Sequence, residues 1–311
     1  MYYPFLRSRQ FELIALRELA HEGMTQGYIM PVLEPVKESH NNLNLAHGVF
    51  QEQQQRAYLI VNPSVGEMAG DNDDFLSYLA NLDGSTFLPA FHYHNNTDYI
   101  RQSIADFSLN NCMLICQSIE NTDDDDLRAL VQTSGIRAIM VEDPLRNRSL
   151  HRFLRTLNKT YVRLDNLFEK QVNNSFFLDI RAHKFSEEHI YFGEEGFNGF
   201  SDYTVLPSEF SDGGSTPRAV VIHLTYLAHE NQIWIRHFTS ESNDSIANVQ
   251  GKFAEAAKKA VDYCRKENLT NSAIMELETY FDDEHYPGLG TIKKISIKNH
   301  LLIVGQYLRS R

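Results

Sequence analysis

Eight short apolar runs separated by helix-like stretches predict an α/β fold, a (β/α)8 TIM-type barrel. The runs are Tyr3–Arg7, Ile29–Glu34, Ala57–Asn62, Phe87–His92, Met113–Gln117, Ala138–Asp143, Tyr161–Asp165 and Ser201–Val205. Near-continuous apolar runs are what strands buried on both faces look like. Most close on a polar or charged residue, and the C-terminal strand ends of such a barrel carry its functional groups. A chain of 311 residues holds one barrel of about 250 residues plus an elaboration.

Between the runs, helical spacing takes over. Gln10–His21 places Phe11, Ile14, Leu16, Leu19 and Ala20 close to one face, and further helices are expected near 45–54, 74–81, 98–108, 123–133 and 149–158. Asp73 or Asp74, Thr97, Thr122 and Ser149 supply oxygens to cap first turns. The run Asp123–Asp126 resembles a metal site but reads more simply as acids at a helix N-terminus.

After Val205 the alternation stops at the Gly/Pro/Ser-rich stretch Ser211–Pro217. Val220–Leu227 and Gln232–Phe238 then read as a β-hairpin, an insertion over 217–240 after the eighth strand of a single domain spanning 1–311. Ile246–Lys266 and Asn271–Phe281 predict extra helices near the C-terminus, and Thr291–Leu308 is expected to close against the barrel. Gly193–Phe200 reads as a mobile rim loop. Tyr286–Lys294 reads as a turn with a basic solvent face, or as an anion site at a helix start.

Composition narrows the function classes. A net charge of −12 argues against extended nucleic-acid binding, which rests on Lys and Arg neutralising phosphates. Cys112, Cys116 and Cys264 lack disulfide or zinc spacing and fit a reducing cytoplasm. No apolar run is long enough to cross a membrane, and no signal-peptide layout precedes the first strand.

Strand parity selects the candidate site. Leu88, Ala90, His92 and His94 share one face, and Glu34, Asn62, Gln117 and either Glu142 or Asp143 sit at other strand ends. Tyr161, Arg163 and Asp165 form a polar face opposite Val162 and Leu164, which assigns Arg163 and Asp165 to the interior. The catalytic candidates are Glu34, His92, Glu142 and Asp165; Asn62, Gln117 and Arg163 are ligand-binding candidates. His92 and His94 form a His-x-His pair able to hold a divalent metal, which would activate a bound water. The alternatives are a metal-free acid–base site on Glu34 or Glu142, and a hydrogen-bonded barrel top in which Arg163, Asp165 and Glu142 pair with one another. No nucleophile elbow, P-loop or dinucleotide fingerprint is present.

The opening Tyr2–Glu12, Ala15-Leu16, Pro31–Pro35 and Gly199–Tyr203 resemble the bacterial and phage beta-protein family. The resemblance implies a barrel-like α/β fold and a role in phage defence or mobile-element conflict, and it draws attention to Arg7, Arg9, Glu12, Glu34 and Asp202 as ligand-binding or paired positions. Arg7 and Glu34 come from adjacent strands, so an Arg–carboxylate pair inside the barrel is the physical alternative to ligand binding. Two readings of function follow. One is an enzyme of the hydrolase or phosphodiesterase type at the barrel mouth. The other is a non-catalytic ligand-sensing or interaction module whose hairpin, through Tyr226, Trp234 and Phe238, contacts a protein partner.

Overall fold

The computed structural model describes residues 1–119, 124–213 and 216–311. It contains two compact units: Met1–Leu13, Arg17–Asn166 and Tyr191–Tyr203 form the first, and Ile14–Leu16, Leu167–Ile190 and Thr204–Arg311 the second.

The first unit is a barrel of eight parallel strands. β1 (Phe5–Leu6), β2 (Val32–Leu33), β3 (Ala57–Ile60), β4 (Phe87–His92), β5 (Cys112–Cys116), β6 (Ile136–Glu142) and β7 (Thr160–Asp165) pair in chain order. A short strand of the second unit, β8 (Ala182–Ser186), intervenes before β9 (Gly199–Asp202) pairs with β7. The eighth barrel strand therefore starts two residues earlier than the sequence suggests. Helices α1 (Gln10–His21), α2 (Asn41–Glu52), α3 (Asp74–Ala80), α4 (Thr97–Asp106), α5 (Asp125–Gln132) and α6 (Arg148–Leu154) are the crossovers between successive strands.

Helix starts follow local chemistry. At α5 the Asp124 carboxylate accepts from the amides of Asp126 and Leu127, so this part of the aspartate run is a cap. The candidates Thr122 and Asp123 lie outside the described residues. Thr97 and Ser149 fall inside their helices, after Asn96 and Asn147 at the caps, while Asp73 caps α3 without a side-chain bond.

The barrel interior is apolar. Phe5, Val32, Ile60 and Ala90 from the first four strands meet Ile115, Met140, Val162 and Leu164 from the next three. Closure takes place just before β1. Tyr2 bridges Phe200 in parallel register, the Tyr3 amide donates to the Phe200 carbonyl at 2.9 Å, and the Phe200 amide donates to the Met1 carbonyl at 3.2 Å. The buried Tyr2 ring stacks on Phe200 with centroids 5.0 Å apart, and its hydroxyl donates to Asp202 at 2.5 Å. A Cβ at Gly199 would sit 2.5 Å from the Tyr3 ring and 2.8 Å from the Met1 carbonyl oxygen. The seam closes because that position has no side chain.

The second unit is built on a three-stranded antiparallel sheet in the order β10 (Val221–Leu227), β11 (Ile233–Thr239), β8. Its helices are α7 (Phe177–Ile180), α8 (Glu188–Tyr191), α9 (Val249–Glu267), α10 (Ser272–Asp282) and α11 (Leu289–Ser310). Asn248 and Asn271 cap α9 and α10 through their side-chain oxygens. The terminal helix α11 lies on β10, where Asn299 donates to the Thr225 carbonyl at 2.9 Å.

Gly199→Ala is expected to part the β9 seam and destabilise the protein by about 1–3 kcal/mol, the usual cost of overpacking. Tyr2→Phe, which leaves the Asp202 carboxylate short of a donor, is expected to cost a similar amount, about 1–3 kcal/mol. Denaturant titration of both variants checks this, and a midpoint unchanged in Gly199→Ala would contradict the steric account.

Candidate functional site

Two residues beyond the interior positions of six strands stand Arg7, Glu34, Asn62, His92, Gln117 and Glu142. The two-residue period of a strand directs them to the same interior face at the C-terminal end of the barrel. Tyr203, which follows β9 and joins the interior cluster, completes the ring.

The ring has two halves with different chemistry. In the first, Glu34 is fully buried, with three hydrogen bonds on one carboxylate oxygen and an ion pair at the other. Its Oε1 accepts from the Ser64 amide and hydroxyl, each at 2.8 Å, and from His92 Nε2 at 3.0 Å, while Oε2 faces the Arg7 guanidinium. Arg7 lies over the rings of Phe5 and Tyr203, and burial lowers its pKa from the usual guanidinium value. Burial, aided by the Arg7 cation, holds His92 down to about 3. His92 is thus a neutral imidazole donating to a carboxylate whose charge Arg7 already answers. Asn62 fixes the same strand end: its Oδ1 accepts from the His92 amide at 2.8 Å, and its Nδ2 donates to the His92 carbonyl at 3.0 Å and to Asp71 at 2.8 Å.

The second half is a relay. Gln117 Nε2 donates to the Tyr203 hydroxyl at 2.5 Å, and that hydroxyl donates to Glu142 Oε1 at 3.0 Å. Tyr203 is the only hydrogen-bond partner of Glu142 among the described residues. Burial raises the Glu142 pKa, and the nearby Asp143 and Asp165 charges push the same way against the Tyr203 hydrogen bond and Arg7. Glu142 is therefore the ring carboxyl that combines partial exposure with an increased affinity for a proton.

Several expected positions lie elsewhere. Val162 and Leu164 occupy the interior face of β7, so Arg163 and Asp165 face the opposite side of the strand. There Asp165 accepts twice from Arg163, at 2.8 and 2.9 Å, Glu195 pairs with the same guanidinium, and Phe197 lies under it at 5.4 Å. The assignment of these two residues to the interior is corrected: an apolar barrel core takes the Val/Leu face, and the ion pair finds its partner 32 residues on. This also anchors the Gly193–Phe200 segment, whose Gly196 packs under Arg155. Asp202 serves the closing seam through Tyr2, and Arg9 starts α1 with its amide on Glu12 at 3.3 Å.

His94 lies past the end of β4, more than half exposed, with Nε2 3.2 Å from Asp71. The structure thus gives the two members of the His-x-His pair different partners, and among the described residues no group of three or more His, Cys, Asp or Glu is arranged to hold a metal. Cys112, Cys116 and Cys264 are free and buried, with thiols pushed up to about 12 by burial. Lys294 is also buried, donating to Glu276 at 2.7 Å rather than forming a basic solvent face. On the hairpin, Tyr226 and Phe238 pack against Tyr263 of α9, with centroids 5.9 and 5.5 Å apart, so a helix of the same unit covers part of the expected partner face. No helix is long and apolar enough to cross a membrane among the described residues.

Sequence reasoning missed Tyr203 and Ser64. Parity from Ser201 reaches Tyr203, whereas Ser64 lies in a loop where no period applies. No family model matches the chain, and no curated protein matches it.

Replacing Glu34 by Ala leaves the largely covered Arg7 without this anion and is expected to cost about 3–5 kcal/mol, while His94→Ala at the surface should stay within about 0.5 kcal/mol. Denaturant titration separates the two. The lowered His92 pKa gives a second expectation. Its contribution to stability is fully present above the unfolded value of 6.5 and is lost as pH falls from there towards 3, because the unfolded chain takes up the proton first. His92→Gln should therefore flatten the stability profile over that window, and an unchanged slope would contradict a neutral buried His92.

Proposed function

We propose that the barrel mouth is the active site of a hydrolase acting on a small, uncharged polar substrate, with Glu142 as the proton donor. The observation that carries this reading is the Gln117–Tyr203–Glu142 relay, which holds a partly exposed carboxyl whose pKa is raised. A general acid must keep its proton near working pH and present it to a leaving group. Tyr203 fixes one Glu142 oxygen, and the other is left for substrate.

Charge favours a neutral substrate over a phosphodiester. Arg7 is matched by Glu34, so the ring has no surplus cation to meet a phosphoryl group. Glu34 and His92 act as positioning residues that hold Arg7 and the β4 end; a carboxylate with this many donors is a poor base. A role in phage conflict remains a proposal resting on the family resemblance.

The test uses uncharged esters, amides and glycosides with poor leaving groups, whose cleavage requires protonation, with products followed by mass spectrometry. Glu142→Gln is expected to lower turnover by at least about 100-fold while the melting temperature holds or rises, because the variant removes a carboxyl that burial disfavours in its charged form. Turnover unchanged in Glu142→Gln, or cleavage confined to phosphodiesters, would contradict the proposal.

A further inference from the structure

The second unit carries an open pocket of about 460 Å³ where β8 begins beside β11 and helices α7 and α9. Its wall carries Arg181, Arg236 and Lys259 against Asp179 and Glu241. The chain as a whole bears a net charge of −12, so three cations on one cavity run against its composition.

Their partners distinguish them. Lys259 donates to Glu241 at 2.5 Å and to the Thr239 carbonyl at 2.6 Å, which accounts for that charge. Arg181 and Arg236 have no ion pair among the described residues. The Arg236 guanidinium carbon lies 4.3 Å from the Tyr263 ring centroid and 5.8 Å from that of Phe238. Stacking uses the faces of a guanidinium and leaves its edge N–H donors available, the geometry that grips an oxyanion by two parallel bonds.

The Arg181 backbone is held beside it. Ala182 is in register with Arg236, and the Arg181 carbonyl accepts from the His237 amide at 2.7 Å. Its backbone sits at φ 54°, ψ −64°, a conformation that L-residues rarely adopt and that persists only where the surroundings enforce it. Thr239 lines the same cavity, is 2% exposed, and its hydroxyl has no hydrogen-bond partner among the described residues. Phe177, Leu178, Phe238 and Tyr263 supply the apolar wall. The volume falls in the range of about 300–1,000 Å³ typical of small-molecule sites.

We propose that this cavity binds a small organic phosphate monoester, its phosphate between Arg181 and Arg236 and its ring against the aromatic wall. Two arginines lining the pocket alongside one exposed carboxylate without an ion pair among the described residues, Asp179, suit a doubly charged group better than a single carboxylate. The site is independent of the barrel-mouth chemistry.

Isothermal titration of the full chain with AMP and with adenosine tests it. AMP is expected to bind with Kd at or below about 1 mM, to be displaced by inorganic phosphate, and to weaken by about tenfold or more in Arg181→Ala and in Arg236→Ala. Adenosine should bind far more weakly, Arg236→Lys should fall between wild type and Arg236→Ala, and Glu142→Gln should bind AMP as wild type does. Circular dichroism confirms that each variant is folded; if Arg236→Ala is not, Arg181→Ala and Arg236→Lys decide. Absence of AMP binding, equal binding of AMP and adenosine, or full affinity in folded Arg181→Ala and Arg236→Lys would overturn the proposal. So would loss of binding in Glu142→Gln alone, which would put the nucleotide in the barrel.

Discussion

Neutralising one fully buried carboxylate, Glu34, is the constraint around which the barrel mouth is organised. A carboxylate in an apolar interior is costly unless a counter-charge and hydrogen bonds replace water. Arg7 from the preceding strand supplies the charge, and Ser64 and His92 from the next two strand ends supply donors. Four consecutive βα units are thereby tied by one side chain. Burial, aided by the Arg7 cation, keeps His92 neutral, and hydrogen bonds hold His92 at both backbone and ring.

The remainder of the ring inherits its character from that arrangement. With Arg7 occupied, the opposite side holds neutral donors and one carboxyl, the Gln117–Tyr203–Glu142 relay. A ring without surplus positive charge leaves Glu142 little help in ionising, so burial sets its direction of shift. The relay also depends on barrel closure. Tyr203 follows directly on the strand that Tyr2, Phe200 and Asp202 bind into the sheet, and Gly199 allows that strand to approach.

Much of this was legible in the sequence. Apolar runs marked the strands, parity put His92 on the interior face, strand-end position picked out Glu34, Asn62, Gln117 and one of Glu142 and Asp143, and Arg7 came only with the family resemblance, as a possible partner of Glu34. β7 misled because Tyr161-Val162-Arg163-Leu164-Asp165 alternates equally well in either sense; which face is inside was decided by the apolar core and by Glu195, whose proximity no local period reveals. β8 escaped notice because Ala182-His183-Lys184-Phe185-Ser186 is a short polar edge strand that becomes a strand by pairing with β11. The partner of Lys294, Glu276, lies on another helix, so burial of that lysine was equally invisible to spacing.

Glu34 is a structural carboxylate held by Arg7, Ser64 and His92, whereas Glu142 is the ring carboxyl whose pKa is raised by burial. Carboxyl carbon NMR titration of protein labelled at glutamate Cδ, with the Glu142 signal assigned by its loss in Glu142→Gln, tests it most directly. The Glu142 midpoint is expected above the ordinary 4.5, moving higher still in Tyr203→Phe, where the hydrogen bond that favours the anion is gone. A Glu142 midpoint at or below 4.5, unmoved by loss of the tyrosine hydroxyl, would contradict it.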